Sequence, residues 1–196
     1  MALLDEIRAI ASTGLHYSTN PFDRERYERL LGLAAKEYAE RSSLESEEIR
    51  ARFDAHIGYV SASVGADAAI FDDEDRILLV RRVDDGRWGL IAGWVDANES
   101  PEDTVRREIE EEVGLRARIE GLVGVFFRPA SFDGLPHGTV SIVYLCSVVG
   151  GTLRTQPHEV HEAIYRAVDD VEDWHHHHET LARAALDAHW RRRAGL

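Results

Sequence analysis

The strongest constraint on this chain is the stretch GWVDANESPEDTVRREIEEEVGL, residues 93–115, in which acidic side chains crowd one short predicted helix. Glu108, Glu111 and Glu112 stand at i, i+3 and i+4 and so share a face, while Glu110 points elsewhere and is read as solvated. Like charges at that spacing destabilise an isolated helix by about 0.2–0.5 kcal/mol per pair, and a bound cation reverses the sign. Oxygen ligands clustered this way suit a hard divalent ion, Mg2+ or Mn2+, because no thiolate or imidazole competes within the stretch. The remaining residues read as a device that holds the face still. Ser100 is placed as an N-cap, Pro101 suits the first helical position and Asp103 lies in the first turn. Val105, Ile109 and Val113 form a buried stripe, and Gly114 is placed for a left-handed C-terminal turn that folds Leu115 back onto Ile109. Arg107 stands beside Glu108 and four residues before Glu111, where it can fix a carboxylate. The plainer reading, an ordinary acidic amphipathic helix, is what a charge run usually means.

A longer spaced pattern outweighs that reading. Gly93, five residues, Glu99, seven residues, then Arg107, Glu108, Ile109, any residue, Glu111, Glu112, any residue, Gly114 and Leu115 is the Nudix box in full. Apart from the apolar Ile109 and Leu115 it has seven fixed letters, whose chance match is on the order of one in 10^8 per starting position. The chain therefore resembles a Nudix hydrolase. The resemblance implies an α+β fold, an α/β/α sandwich with a mixed sheet, and a loop-helix-loop metal site. It also implies hydrolysis of a nucleoside diphosphate linked to some other group X. Two departures stand upstream of the helix. Ile91-Ala92 replaces the Pro-Gly that many members carry, and Asn98 stands where Gly is common; Asn98 is expected to keep the turn by tolerating positive φ.

In that family the backbone carbonyl of Gly93 commonly contributes to the metal site, so the expected ligands are Gly93, Glu108, Glu111 and Glu112. Glu99 is placed to reach a second metal or a water, and Arg107 acts as orienter, its guanidinium a rigid, permanently charged fork. The general base is open between Glu108 or Glu111 in the box and Glu159 or Glu162 in QPHEVHEAIYRAV. Substrate recognition is assigned to Phe127 and Arg128, an aromatic beside a cation. Arg81, Arg82 and Trp88 flank the entry to the box and join that set. For Trp88 and Phe127, core packing is the plainer alternative.

Residues 1–58 read as a separate helical segment and 59–196 as the hydrolase domain. Leu3, Leu4, Ile7 and Ile10 mark a first helix, Asn20-Pro21 opens a second, and Ser42 with Glu45 is read as a capping box for a third. Three short helices bury little alone, so this arm is expected to pack on the next domain or on a second subunit, giving a homodimer. From Gly58 onward the pattern is strand and turn: ADAAIF, RILLVRR, the box helix, RARIEGLVGVFF, the loop RPASFDGLPHG, TVSIVYLCSVV and HEAIYRAV, with a last helix near 179–192. The helical arm and GYVSASVGADAAIF are similar to the Nudix branch that includes CDP-choline and ADP-ribose pyrophosphatases.

Net charge −13 argues against a broad electrostatic grip on nucleic acid, though not against a small nucleotide held through a metal. The single cysteine, Cys146, lies in an apolar run and is read as a buried strand residue. No window is apolar enough to span a bilayer and no targeting segment opens the chain, so a cytoplasmic location is expected. The run His175–His178 is read as a solvated segment rather than a native metal site. The leading function is metal-dependent hydrolysis of a nucleoside diphosphate linked to X, of the CDP-choline or ADP-ribose class. Alternatives are a nucleoside triphosphate pyrophosphohydrolase and a ligand sensor without turnover.

Overall fold

The structure, a computed structural model, describes residues 2–55, 57, 58, 60–129 and 138–195. The loop RPASFDGLPHG therefore lies largely outside the described residues. The chain divides into two compact units, residues 1–63 with 128–139, and residues 64–127 with 140–196. The first unit thus runs past residue 58 and takes in a second segment that no local pattern marks.

The first unit is built on α1 (Ala2–Tyr17), α2 (Pro21–Ala39) and α3 (Ser46–Asp54). Asn20 caps α2 as its placement predicts, its side chain accepting from Phe22 N at 2.9 Å. The capping box does not form. Ser42 Oγ instead accepts from Leu44 N at 3.3 Å within the turn, and Glu45 becomes the N-cap of α3 without a side-chain bond. The expectation that the helices bury little by themselves is also corrected. Leu4, Ala11, Leu15, Leu31, Ala34, Ala35, Tyr38, Ile49 and Phe53 form a core of their own, with the Arg8 guanidinium 4.5 Å above the Phe53 ring and the Tyr38 hydroxyl bonded to Asp5. Leu3, Ile10 and Tyr17, seven residues apart on α1, remain exposed.

Apart from the end residues Ser63, Arg128 and Thr139, the second unit holds β1 (Ser63–Ile70), β2 (Ile77–Arg82), β3 (Trp88–Gly89), β4 (Ile91–Trp94), α4 (Pro101–Val113), β5 (Leu115–Arg128), β6 (Thr139–Gly151), β7 (Val160–Arg166), a 3-10 turn (Val168–Asp170) and α5 (His178–Arg193). Among the described residues two sheets form, in the orders β4-β1-β6-β5 and β3-β2-β7. Strands buried on both faces read as continuous apolar runs, and alternate residues separate the two faces. Ala66, Ala68, Ile70, Leu78, Val80, Ile91 and Cys146 pack with Val105, Ile109 and Val113 of α4. Ala69, Ile77, Leu79, Leu90 and Val143 pack with Leu181, Ala182 and Ala185 of α5. Helices on both sides of the strands give the expected α/β/α sandwich. Cys146 is buried, and burial pushes its thiol up to about 12.

Candidate active site

Helix α4 forms as its sequence dictates. Ser100 Oγ accepts from Asp103 N at 3.1 Å, and Gly114 ends the helix in the left-handed region at φ 67°, its N–H bonded to the Glu110 carbonyl. The turn before the helix closes through Glu99 N to Asp96 O at 3.0 Å. It does so without positive φ at Asn98, because Asp75 and His176 are the non-glycine residues with positive φ among those described. Gly93 is required by close approach: a Cβ there would stand 1.8 Å from Glu108 Oε1, so the carboxylate lies directly over the β4 backbone.

Arg107 organises one side of the helix. Its Nε and Nη2 each donate to Glu99 at 3.0 Å, a bidentate fork, while Nη1 donates to Glu108 Oε1 at 2.7 Å and Glu111 Oε2 at 3.0 Å. The fork, with Thr104 Oγ1 donating to Glu99 at 2.7 Å, holds the Glu99 carboxyl down at about 2. Glu99 thus orients Arg107, and Glu111, 54% exposed, also faces the guanidinium.

The carboxylates that converge are Glu108, Glu112 and Glu159, whose ligand oxygens all lie within 4.8 Å of one another. Glu159 is delivered by a return of the chain that no motif announces. Thr152 N, Arg154 N and Gln156 N donate in turn to the carbonyls of Gly114, Val113 and Glu112, at 3.3, 3.0 and 3.0 Å, so the segment zips onto the C-terminal end of α4. Val83 N then donates to Glu159 O at 2.9 Å. Glu162 lies further along β7, exposed and in register with Arg81, outside the cluster.

Burial is the main cause of the strained electrostatics here. It raises the Glu112 carboxyl to about 8, reinforced by the like charges of Glu108 and Glu159 and offset by Arg82. Burial also raises Glu108, with Arg107 pulling the other way. Glu112 Oε2 is buried with no hydrogen-bond partner. An orphaned buried oxygen among three all-oxygen donors is what a hard divalent cation would satisfy, so the residues present fit Mg2+ or Mn2+.

The other candidates are dispersed. Arg82 faces this cluster electrostatically and is held by Asp84, whereas Arg81 donates to Gly86 O at 3.0 Å. Trp88 is core, packed in the α5-side cluster with Arg166 4.6 Å above its ring. Phe127 is 67% exposed on β5 and does not pack in the core. Arg128 belongs to the first unit and donates to Thr139 Oγ1 at 3.2 Å. The histidine run is not a solvated segment. His178 is buried and its Nδ1 accepts from Leu90 N at 3.0 Å, and His175 Nδ1 bonds Asp85 Oδ2 at 2.7 Å. Sequence reading missed Asp67 altogether: it is a buried carboxyl on β1 that takes a hydrogen bond from Ser141.

Residues 62–187 match the NUDIX domain, and residues 1–53 match the UDP-X-like, N-terminal oligomerisation domain. A Bacillus subtilis protein provisionally named an ADP-ribose pyrophosphatase is 34% identical over 160 residues, 81% of this chain and 76% of that protein. The ADP-ribose pyrophosphatase of Methanocaldococcus jannaschii is 36% identical over 100 residues, 49% of this chain and 57% of that protein. The crystal structure of a UDP-X diphosphatase is similar with a TM-score of 0.58 at 28% identity, covering 99% of this chain and 93% of that one. With that match spanning the sandwich and an acidic helix folded as its box requires, the chain belongs to the Nudix hydrolase family.

Proposed function

We propose that the protein hydrolyses the pyrophosphate bridge of a nucleoside diphosphate linked to a second group, of the ADP-ribose or UDP-X class, with Mg2+ or Mn2+ held on Glu108, Glu112 and Glu159. The convergence of these three carboxylates, one of them with an unpartnered buried oxygen, carries the proposal, and the names of the relatives above support the substrate class. A divalent ion there supplies charge neutralisation on the bridge and a water of lowered pKa. The chain's own residues do the rest. Arg107, pinned by Glu99, aims the Glu108 carboxylate over Gly93. Glu112 keeps a proton at neutral pH until the site is loaded. Glu159 is fixed by the backbone bonds of its segment rather than by its own side chain.

The first unit is proposed to pair two copies through the exposed line Leu3, Ile10 and Tyr17, consistent with the oligomerisation domain it matches. No described helix is long and apolar enough to cross a membrane. A screen of ADP-ribose, UDP-sugars and CDP-choline with Mg2+ or Mn2+ tests the function. The expected products are a nucleoside monophosphate and phosphorylated X. Turnover confined to nucleoside triphosphates with release of inorganic pyrophosphate, or no turnover at all, would overturn it.

A further inference from the structure

The histidine run and the β2–β3 turn are features that hydrolysis chemistry leaves unexplained, and the structure ties them together. His175 N donates to Trp88 O and Trp88 N to Asp173 O, both at 2.8 Å, so the chain entering α5 runs alongside β3 as a parallel bridge. His178 fixes the residue that follows that strand through Leu90 N. His175, 14% exposed, then reaches the turn itself through Asp85. One residue earlier, Asp84 receives a fork from Arg82, Nε at 3.0 Å and Nη2 at 2.8 Å.

Arg82 ends β2 just after a register shift that places it opposite Val160, the residue following Glu159. It shares strand parity with Leu78 and Val80, which face α4, and its charge acts on Glu112. Its side chain is 28% exposed. Two of its five N–H donors are spent on Asp84, which leaves the Nη1 side of a rigid fork for another anion. The ligand atoms of Asp84, Asp85 and His175 also lie within 4.8 Å of one another, the spacing of a cation site. Here, however, Arg82 occupies both Asp84 oxygens, and Asp85 is taken by His175 and by Arg87 N at 3.0 Å. The turn is already charge-compensated.

We infer that Arg82 binds a phosphate oxygen of the substrate beside the Glu108–Glu112–Glu159 face, and that Asp84, steadied through its turn by the His175–Asp85 bond, is its positioning residue. The inference deepens the pyrophosphatase proposal and rests on it for the location of the phosphates. A guanidinium whose fork is fixed in advance loses less side-chain freedom when the anion arrives, so the carboxylate behind it raises affinity without touching the ligand.

The test uses methylenediphosphonate, a bridge that cannot be hydrolysed, titrated calorimetrically into the full chain with Mg2+ present. Arg82→Gln is expected to weaken binding by about tenfold or more, and Asp84→Asn by about threefold to tenfold, with Asp84→Glu partly restoring it. The decisive reading is the cycle: Arg82→Gln/Asp84→Asn should bind within about twofold of Arg82→Gln alone, because Asp84 acts through Arg82. His175→Gln, which keeps a donor, should bind more tightly than His175→Ala. Arg82→Lys, which keeps the charge and loses the fork, guards against a folding defect in the Gln variant and should also weaken binding. Additive losses in the double variant, wild-type affinity in Arg82→Gln, or no binding to the wild type would each overturn the inference. Turnover of nucleotide conjugates by the wild type is read separately. An inactive wild type with a coupled cycle defeats the function and leaves the positioning role standing; an active one with additive losses does the reverse.

Discussion

Asp67 offers a sharp measure of how this sandwich handles charge. It sits on β1 in register with Ala92, is 2% exposed, and has Ser141 as its hydrogen-bond donor. Burial raises its carboxyl from an ordinary 3.8 to about 7, with the Ser141 bond pulling the other way. The folded chain therefore holds a proton on Asp67 across an interval in which the unfolded chain has lost it. Stability attributable to this group is fully present below pH 3.8, falls as pH rises through the interval, and is lost above pH 7. At 1.36 kcal/mol per pH unit the full loss is about 4 kcal/mol, of which less than half has accrued by pH 5.

Asp67→Asn keeps the shape and an acceptor for Ser141 and removes the ionisation. The variant should be more stable than the wild type by up to about 4 kcal/mol at pH 8.5, and the gap should narrow by more than half at pH 5. Asp67 also contributes to the raised Glu112 pKa, so the substitution relieves that repulsion in the same direction. Urea unfolding followed by tryptophan fluorescence, in chelator, reads the relevant unit, since Trp88, Trp94, Trp174 and Trp190 all lie within it. A variant less stable than the wild type at pH 8.5, or a gap that does not change with pH, would refute the reasoning.

Because burial raises the Glu112 carboxyl to about 8, loading the site with Mn2+ should release a proton at pH 7 and markedly less at pH 9; calorimetry in buffers of different ionisation enthalpy measures it. Glu159→Gln should lower metal affinity and turnover together, whereas Glu162→Gln, outside the cluster, should change neither by more than about twofold. Ile10→Asp places a charge on the exposed line of α1 and should convert a dimer to a monomer by light scattering at micromolar concentration, with Leu31 and Phe53 still packed and helicity unchanged.

The extent to which this site could be read in advance follows from the range of the interactions that build it. The caps of α4, its buried stripe and its left-handed end depend on residues within a turn of each other, and all form as their spacing predicts. The directions in which the glutamates leave the helix are also readable. At 100° per residue Glu112 lies about 60° from the centre of the Val105–Ile109–Val113 stripe, Glu108 about 100° and Glu111 about 160°. Glu111, nearly opposite the buried face, meets Arg107 at the surface. Local pattern names Glu159 only as one of two loop acids with Glu162 and does not reach the contacts that carry its segment to the cluster, three backbone bonds to carbonyls on another element. Nor does it reach the histidine run, whose partners Asp85 and Leu90 lie about ninety residues away in sequence. Both are pairings between segments remote in the chain, where an ordinary-looking polar residue acquires its role from where the backbone is carried. The box thus specifies a helix with carboxylates on it, and the third carboxylate of the proposed site comes from the return of the chain along that helix's end. Lengthening the 152–156 return by one residue should therefore weaken metal binding even with every residue of the box in place, and an unchanged Mn2+ affinity in such an insertion variant would refute that role.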